Sequence, residues 1–450
     1  MAGKSVTRDL LRAGLEGPVY RSGHPRYHAL RSVYNAVIDR KPYAIVKAAS
    51  HTDVRKVVGV AANHQVPLAV RCGGHSFAGL GTCDGGIVCD LSRMNAVAVD
   101  PRARTVDVEG GALLGDIDVA GERFGLATPA GIVSHTGVGG LALGGGMGYL
   151  SRRFGLTIDS LLGADVVTAD GRFLSVGPDQ EPDLFWAIRG GGGNFGVVTK
   201  FRFRMHLLGS VLIRRWRYPA ASATEILKHY QEAIDNAPRA LTTAFVLTAE
   251  ELQLRAIWSG STSGADALIE RFARLPGAVQ DPDVDLSFVE LQRASDELLP
   301  WGRRYYSKGG FLASMDDRVI DAMTEPFSTT PVPGVEVYCL QLGGAVSDVD
   351  EDATAYSGRD AGHYWIAQGV WDSAEDDEGA MRWCRLTADR LTALSLRTNY
   401  VNEQADTGVA RGAYGEAKYR RLADVKWRYD PTNLFHLNQN IEPLERGILS

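Results

Sequence analysis

The residues best placed to do chemistry stand among glycines. Arg71-Cys72-Gly73-Gly74-His75-Ser76-Phe77-Ala78-Gly79 follows directly on the apolar run 67–71. Consecutive N–H groups in tight glycine turns make an anion-binding concavity, and glycine lets backbone approach a bulky ligand. Gly110-Gly111, the run Gly131–Gly148 and Gly190–Gly196 repeat the theme. Several such clusters point to a ligand with a long phosphate-bearing body, such as a dinucleotide; ordinary turns of a glycine-rich fold are the plain alternative. Gly137-Val138-Gly139 opens a G-x-G-x-x-G whose last position is Ala142, without a clear parallel βαβ unit and later ribose acid, so a Rossmann reading is weak. No P-loop, H-E-x-x-H or EF-hand pattern occurs, and no metal site is expected.

The elements that must hold these loops change character near residue 200. The first zone alternates helices and strands. Strands are predicted at 44–49, 67–71, 86–91, 104–111 and 197–205, and a hairpin at 164–176 turns on Asp170-Gly171. A helix over 51–65 has apolar residues at 54, 57, 58 and 61, with Thr52 as the expected N-cap. The second zone, 207–399, shows helical stretches at 222–236, 264–273, 316–325 and 374–394, and alternating stretches at 242–258, 335–344 and 363–371. That pattern predicts an antiparallel sheet covered by helices. In the stretch at 363–371, His363, Trp365 and Ala367 share one face, and Tyr364, Ile366 and Gln368 the other. One face should line a pocket. A last helix is expected at about 415–427.

Composition narrows the function classes. With 48 Lys+Arg against 54 Asp+Glu and a net charge of −6, the chain lacks the basic surplus of a nucleic-acid binder. Hydrophobic residues at 45% exclude disorder. No apolar run is long enough to span a membrane and the N-terminus lacks an apolar signal region, so a cytoplasmic protein is expected. Five cysteines without a C-x-x-C pair read as free thiols. The 51 glycines, about 11% against a usual 7%, concentrate before residue 200.

Taken together, RCGGHSFAG (71–79), DGGIVCDLSRMN (84–95), the run 137–171, DLFWAIRGGGGNFGVVTKF (183–201) and YDPTNLFHLNQNI (429–441) resemble the FAD-linked oxidases of the vanillyl-alcohol-oxidase type. The closer group is the berberine bridge enzyme-like one, which includes hydroxynicotine oxidase. The resemblance spans nearly the whole chain and is weakest in 207–399. It implies an α+β, two-domain FAD-binding (PCMH-type) fold. Residues 1–206 would bind FAD, with 400–450 returning to that domain, and 207–399 would form the substrate domain.

The resemblance also implies roles. His75 would be bonded covalently to the flavin, and Arg71, Cys72, Gly73, Gly74, Ser76 and Gly79 would hold the pyrophosphate. Pro129, Gly131, Thr136, Gly137, Gly140, Gly144, Gly145 and Gly146 would cradle the flavin and ribityl chain, with Gly148, Tyr149 and Asp159 in the same motif. Gly191, Gly192, Gly193, Asn194 and Val198 match the adenosine side, and Asn438 and Asn440 the flavin-ring contact. Some relatives carry a second, cysteine tether. Val133 takes that position, so a single linkage is expected, as in the hydroxynicotine-oxidase branch. The candidates for moving the substrate's proton are Tyr400 first, then Asn402 of the same Y-V-N, Tyr414 and Tyr364. The implied activity is oxidation of a small organic molecule, an alcohol, amine or natural-product intermediate, with dioxygen as acceptor. A dehydrogenase using another acceptor, and a flavin-bearing drug-binding protein, are the competing readings. Substrate and oligomeric state are not legible.

Overall fold

The computed structural model describes residues 2–261, 265–282, 284–329 and 332–444. Of the expected ranges, residues 1, 262–264, 283, 330–331 and 445–450 lie outside them. Three sheets organise the chain. The first has the order Val19–Arg21, Ala44–Lys47, Ile87–Asp90, Leu68–Arg71; its last three strands are parallel. Helix His51–His64 makes the crossover, and its buried Val54, Val57, Val58 and Ala61 form the expected apolar stripe. Its N-cap is Ser50, not Thr52: the Ser50 side chain accepts from the Asp53 N–H. Asp53 in turn accepts from the N–H groups of Glu16, Gly17 and Ala49, which ties the N-terminal segment to the helix start.

The second sheet is antiparallel, in the order Val97–Asp100, Thr105–Glu109, Val197–Arg204, Leu161–Val167, Phe173–Val176. The hairpin turn at Asp170-Gly171 is present, with Gly171 at φ +78° as such a turn requires. The third sheet is also antiparallel. Its path runs Val279–Gln280, Val211–Pro219, Glu251–Trp258, Leu241–Leu247, Val335–Gln341, His363–Trp371, Arg304–Leu312, with Val284–Leu286 paired to the second of these. The expected stretch 242–258 is therefore a hairpin. Strands Val211–Pro219 and Arg304–Leu312 were not anticipated; both carry several Arg or Tyr residues that blur their alternation.

Helices Ala223–Ile234, Ala265–Ala273, Asp317–Thr329 and Asp377–Thr392 cover one face of this sheet. Their core takes in Trp216, Phe245, Trp365, Ala367 and Trp371. So Trp365 and Ala367 face helices, which leaves Tyr364, Ile366 and Gln368 on the opposite, cavity face. Residues 401–441 share a separate core with 106–203, through Val401, Ala413, Leu422 and Ile441 against Val166, Phe195 and Phe201. The last helix is longer than expected, Ala410–Tyr429, with a break at Gly415 (φ +73°). Among the described residues no helix is long and apolar enough to cross a membrane.

Candidate active site

A cavity of about 650 Å³ runs between the glycine loops of the first zone and the open face of the third sheet. Its floor begins at Arg71-Cys72-Gly73-Gly74-His75-Ser76, where strand Leu68–Arg71 ends. Arg71 is tied to Asp90 at 2.6 Å, at the end of the neighbouring strand, and both are buried. This pair fixes where the loop leaves the sheet. Gly73 and Gly137 then meet back to back: a Cβ on either would lie within 2.3 Å of the other's backbone nitrogen. Gly74 takes φ +67°, which turns the loop into the cavity. The N–H groups of Gly74, His75, Ser76 and Phe77 have no acceptor among the described residues. A row of free N–H groups on a cavity wall is what an anionic pyrophosphate needs. The open space above Gly140 and the cavity-facing Gly192, Gly193 and Asn194 extend the groove, so the residues present fit FAD.

His75 sits under Tyr34, stacked at 3.9 Å between ring centroids, and its Nε2 lies 2.6 Å from His135 Nδ1. His135 Nε2 faces the Asp296–Leu299 turn, 4.0 Å from Asp296 Oδ1, and the turn's carbonyls act on it as acceptors. The proton of His135 is thus assigned to Nε2, its Nδ1 accepts from His75 Nε2–H, and His75 Nδ1 keeps its lone pair. Burial, followed by His135, pushes the His75 pKa down to about 3, so the ring is neutral. Val133 lines the wall nearby, and Cys72 is the one cysteine on the cavity. Burial raises the Cys72 thiol to about 11, and its Sγ donates to the Ala112 carbonyl. It is an inert thiol.

At the other end the Y-V-N-E turn enters the cavity. Tyr400, 2% exposed, accepts from the Gly146 N–H at 3.2 Å and from Asn402 Nδ2 at 2.9 Å. Asn402 Nδ2 also donates to the Leu141 carbonyl. Two donors favour the phenolate, but burial outweighs them and raises the Tyr400 pKa. Its ring meets Tyr364 edge-on at 5.6 Å. One residue beyond the expected candidates stands Glu403. Burial pushes its carboxyl up to about 7, against a smaller opposing pull from the Tyr364 hydroxyl. Neither Glu403 Oε2 nor Tyr364 Oη completes a hydrogen bond within the protein. An acid poised near neutrality, with two phenols beside it, is equipped to take a proton from a hydroxyl or amine. Tyr414 reaches the cavity but its hydroxyl is spent on the Gly190 carbonyl at 2.9 Å.

The structure thus brings Arg71 through Ser76, Gly131, Thr136, Gly137, Gly140, Gly192 to Asn194, Val198, Asn438 and all four proton-transfer candidates to one cavity. Gly79, Pro129, Gly144 to Gly146, Gly148, Tyr149, Asp159, Gly191 and Asn440 lie outside its lining. Several of these have packing tasks instead. A Cβ on Gly144 would strike the Asn402 amide, on Gly145 the Tyr356 ring, and on Gly148 the Ala130 carbonyl. Asp159 is held by both nitrogens of Arg359 at 2.8 Å, an ion pair to the substrate-side loop. Asn194 staples Gly191 and Gln439 and accepts from the Ile441 N–H.

Comparison with known proteins agrees with this geometry. Residues 42–177 match the FAD binding domain family, and 398–442 match the berberine and berberine-like family. An FAD-linked oxidoreductase of Dictyostelium discoideum is 33% identical over 439 residues, covering 96% of each chain. The crystal structure of 6-hydroxy-D-nicotine oxidase from Arthrobacter nicotinovorans superimposes with a TM-score of 0.89 at 27% identity, over 96% of this chain and 99% of that one. Xylooligosaccharide oxidase from Myceliophthora thermophila, in complex with xylobiose, gives 0.88 at 25% identity, over 98% of this chain and 99% of that one. With the α+β PCMH-type architecture and the glycine-lined cavity, these matches place the chain in the vanillyl-alcohol-oxidase / berberine bridge enzyme-like family of FAD-dependent oxidoreductases.

Proposed function

We propose that the protein is an oxidase that carries FAD on His75, takes a hydride from the carbon beside a hydroxyl or amine of a small organic molecule, and passes the electrons to dioxygen. The observation that carries this reading is the Glu403–Tyr364–Tyr400 cluster opening on the same cavity as the His75 loop. The chemistry that bound FAD supplies is two-electron acceptance from a C–H bond, with hydrogen peroxide formed on reoxidation.

The chain's own residues supply the rest. Glu403, ionised above about pH 7, receives the proton of the reacting hydroxyl or ammonium group. Tyr364 and Tyr400 orient that group, since the Tyr364 hydroxyl lies beside the Glu403 carboxyl and Tyr400 is fixed by Gly146 and Asn402. The pyrophosphate falls to the Gly74–Phe77 N–H groups, and a neutral His75 with Nδ1 unprotonated is the nucleophile a covalent link requires. Val133 offers no sulfur for a second link. Residues 1–206 with the 400–441 return form the cofactor half of this reading, and 207–399 the substrate half.

Two of the relatives named above are oxidases of a hydroxynicotine and of a xylooligosaccharide, so the reaction type transfers more readily than the substrate. A substrate screen should follow flavin bleaching without oxygen, then peroxide formation on admitting air. Bleaching without peroxide, with turnover restored by an artificial dye, would replace the oxidase with a dehydrogenase. A tightly bound compound that never bleaches the flavin would replace both with a binding protein.

A further inference from the structure

The cavity face of the third sheet carries a cation that the proton-transfer cluster does not use. Arg255, in strand Glu251–Trp258, lines the cavity, and its buried Nε has no hydrogen-bond partner. Its guanidinium lies against the Tyr149 hydroxyl. Glu336, an acid that acts on it, is engaged by Gln368, and burial raises the Glu336 pKa, which weakens it as a counter-ion. The Tyr338 hydroxyl on the same face is also buried and unpartnered. Burial works against the Arg255 charge, and Tyr149, Tyr338 and Glu336 together outweigh it, so a guanidinium that stays charged and keeps a free Nε faces the cavity, where a ligand can supply the paired anion.

Sheet register shows how that ligand extends. Arg255 pairs with Ala244, Ala244 with Leu340, and Leu340 with Tyr364. Three strand spacings separate Arg255 from Tyr364, roughly 14 Å between their backbones. The surface between them is mainly apolar: Leu340 lies in that row, and Val246, Tyr338 and Ile366 follow one another in the next, with the Tyr338 hydroxyl as its polar atom.

We propose that the substrate is an elongated, mainly apolar molecule ending in a carboxylate, which Arg255 binds with help from Tyr338, while its other end reaches Tyr364 and Glu403. The site of oxidation in this picture rests on the oxidase reading above; the carboxylate site does not. A guanidinium fork matches a carboxylate's two oxygens, and the resulting bond is among the stronger neutral-pH contacts.

The test uses the purified holoenzyme and three aryl carboxylates of increasing length, benzoate, trans-cinnamate and biphenyl-4-carboxylate, each beside its neutral amide. Binding is read by thermal shift and by perturbation of the flavin spectrum. At least one carboxylate should bind roughly tenfold tighter than its amide, an advantage typical of a charge-assisted contact. Arg255→Gln should bring the two to parity, and Arg255→Lys should keep part of the preference. Absence of a carboxylate preference in every pair, or its persistence in Arg255→Gln, overturns the proposal. Loss of flavin from Arg255→Gln with the wild-type preference absent would assign the arginine to the cofactor instead. A wild-type protein without flavin would defeat the oxidase reading, yet the thermal-shift comparison would still decide the carboxylate site.

Discussion

At the scale of single residues, the proposed reading rests on the carboxyl of Glu403 and the imidazole of His75. A base must be unprotonated to act, so turnover should rise with pH through about 7, where Glu403 ionises. Glu403→Gln should lower kcat by about 10²–10⁴-fold and remove that rising limb. Tyr400→Phe, by contrast, should leave the limb in place, because burial holds that phenol protonated. If the limb instead vanished with Tyr400→Phe and survived Glu403→Gln, the roles would be exchanged. For His75, acid precipitation should leave the flavin in the protein pellet of the wild type and in the supernatant of His75→Ala. The sequence pointed to Tyr400 and Asn402 through Y-V-N and stopped one residue short of Glu403. An acidic side chain in a turn reads as solvated, and only the packed fold reveals that this one is desolvated. The glycines around His75 mark a loop, which the structure sets on the cavity wall, while a role for the imidazole itself came from the family resemblance; its partner His135, 60 residues away, has no local signal.

At the scale of elements, the glycine loops and the C-terminal segment hold one another in place. Lys426, fully buried, pairs with Asp430 at 2.7 Å and donates to the carbonyls of Asn194 and Phe435. Asp430 also accepts from the N–H groups of Leu434 and Phe435. The Asp430-Pro431 step that reads in the sequence as a helix stop is therefore also the anchor that clamps the 192–195 turn. Removing one partner strands the other charge, so Lys426→Met should cost about 3–5 kcal/mol in urea unfolding. A loss below 1 kcal/mol would show that the clamp is dispensable. Glycine excess is an ambiguous signal by comparison, because it marks both ligand approach and backbone contact. Gly137→Ala sets a Cβ 2.2 Å from the Gly73 nitrogen, 2.6 Å from Cys72 Sγ and 2.8 Å from Gly73 Cα, so the loop must move and flavin content should fall. Gly412→Ala, on an exposed helical position with open space around it, should be neutral or stabilise by about 0.5–1 kcal/mol. The large sheet was legible where alternation was clean, as in His363–Trp371, and was missed where Arg and Tyr stand on both faces.

At the scale of the whole molecule, the proposed cofactor and substrate halves must keep a fixed relation across the cavity, and one buried polar pin between them titrates. Asp118, on helix Leu114–Glu122, is buried against Gln292 of helix Phe288–Arg293. Gln292 Nε2 donates to the Gly131 carbonyl on the cavity wall at 2.7 Å. Asp118 Oδ2 and Gln292 Oε1 would both lack partners if the carboxyl were ionised. A protonated Asp118 donating to Gln292 Oε1 satisfies both, and burial accordingly raises its pKa to about 8. A carboxyl whose folded value exceeds its unfolded value of 3.8 stabilises the fold fully below that pH. The contribution is lost progressively as pH rises toward about 8, because the unfolded chain releases the proton first. Asp118→Asn keeps a neutral donor in the same place and has no proton to lose. Unfolding free energies of wild type and variant should converge near pH 4 and separate on the alkaline side. The variant should be ahead by about 2–4 kcal/mol at pH 8, less than the full linkage value because local relaxation admits water to the ionised carboxylate. Parallel stability curves across that interval would mean that Asp118 is ionised in the fold and that this pin sets no part of the pH dependence, leaving links such as the Asp159–Arg359 ion pair to hold the two sides.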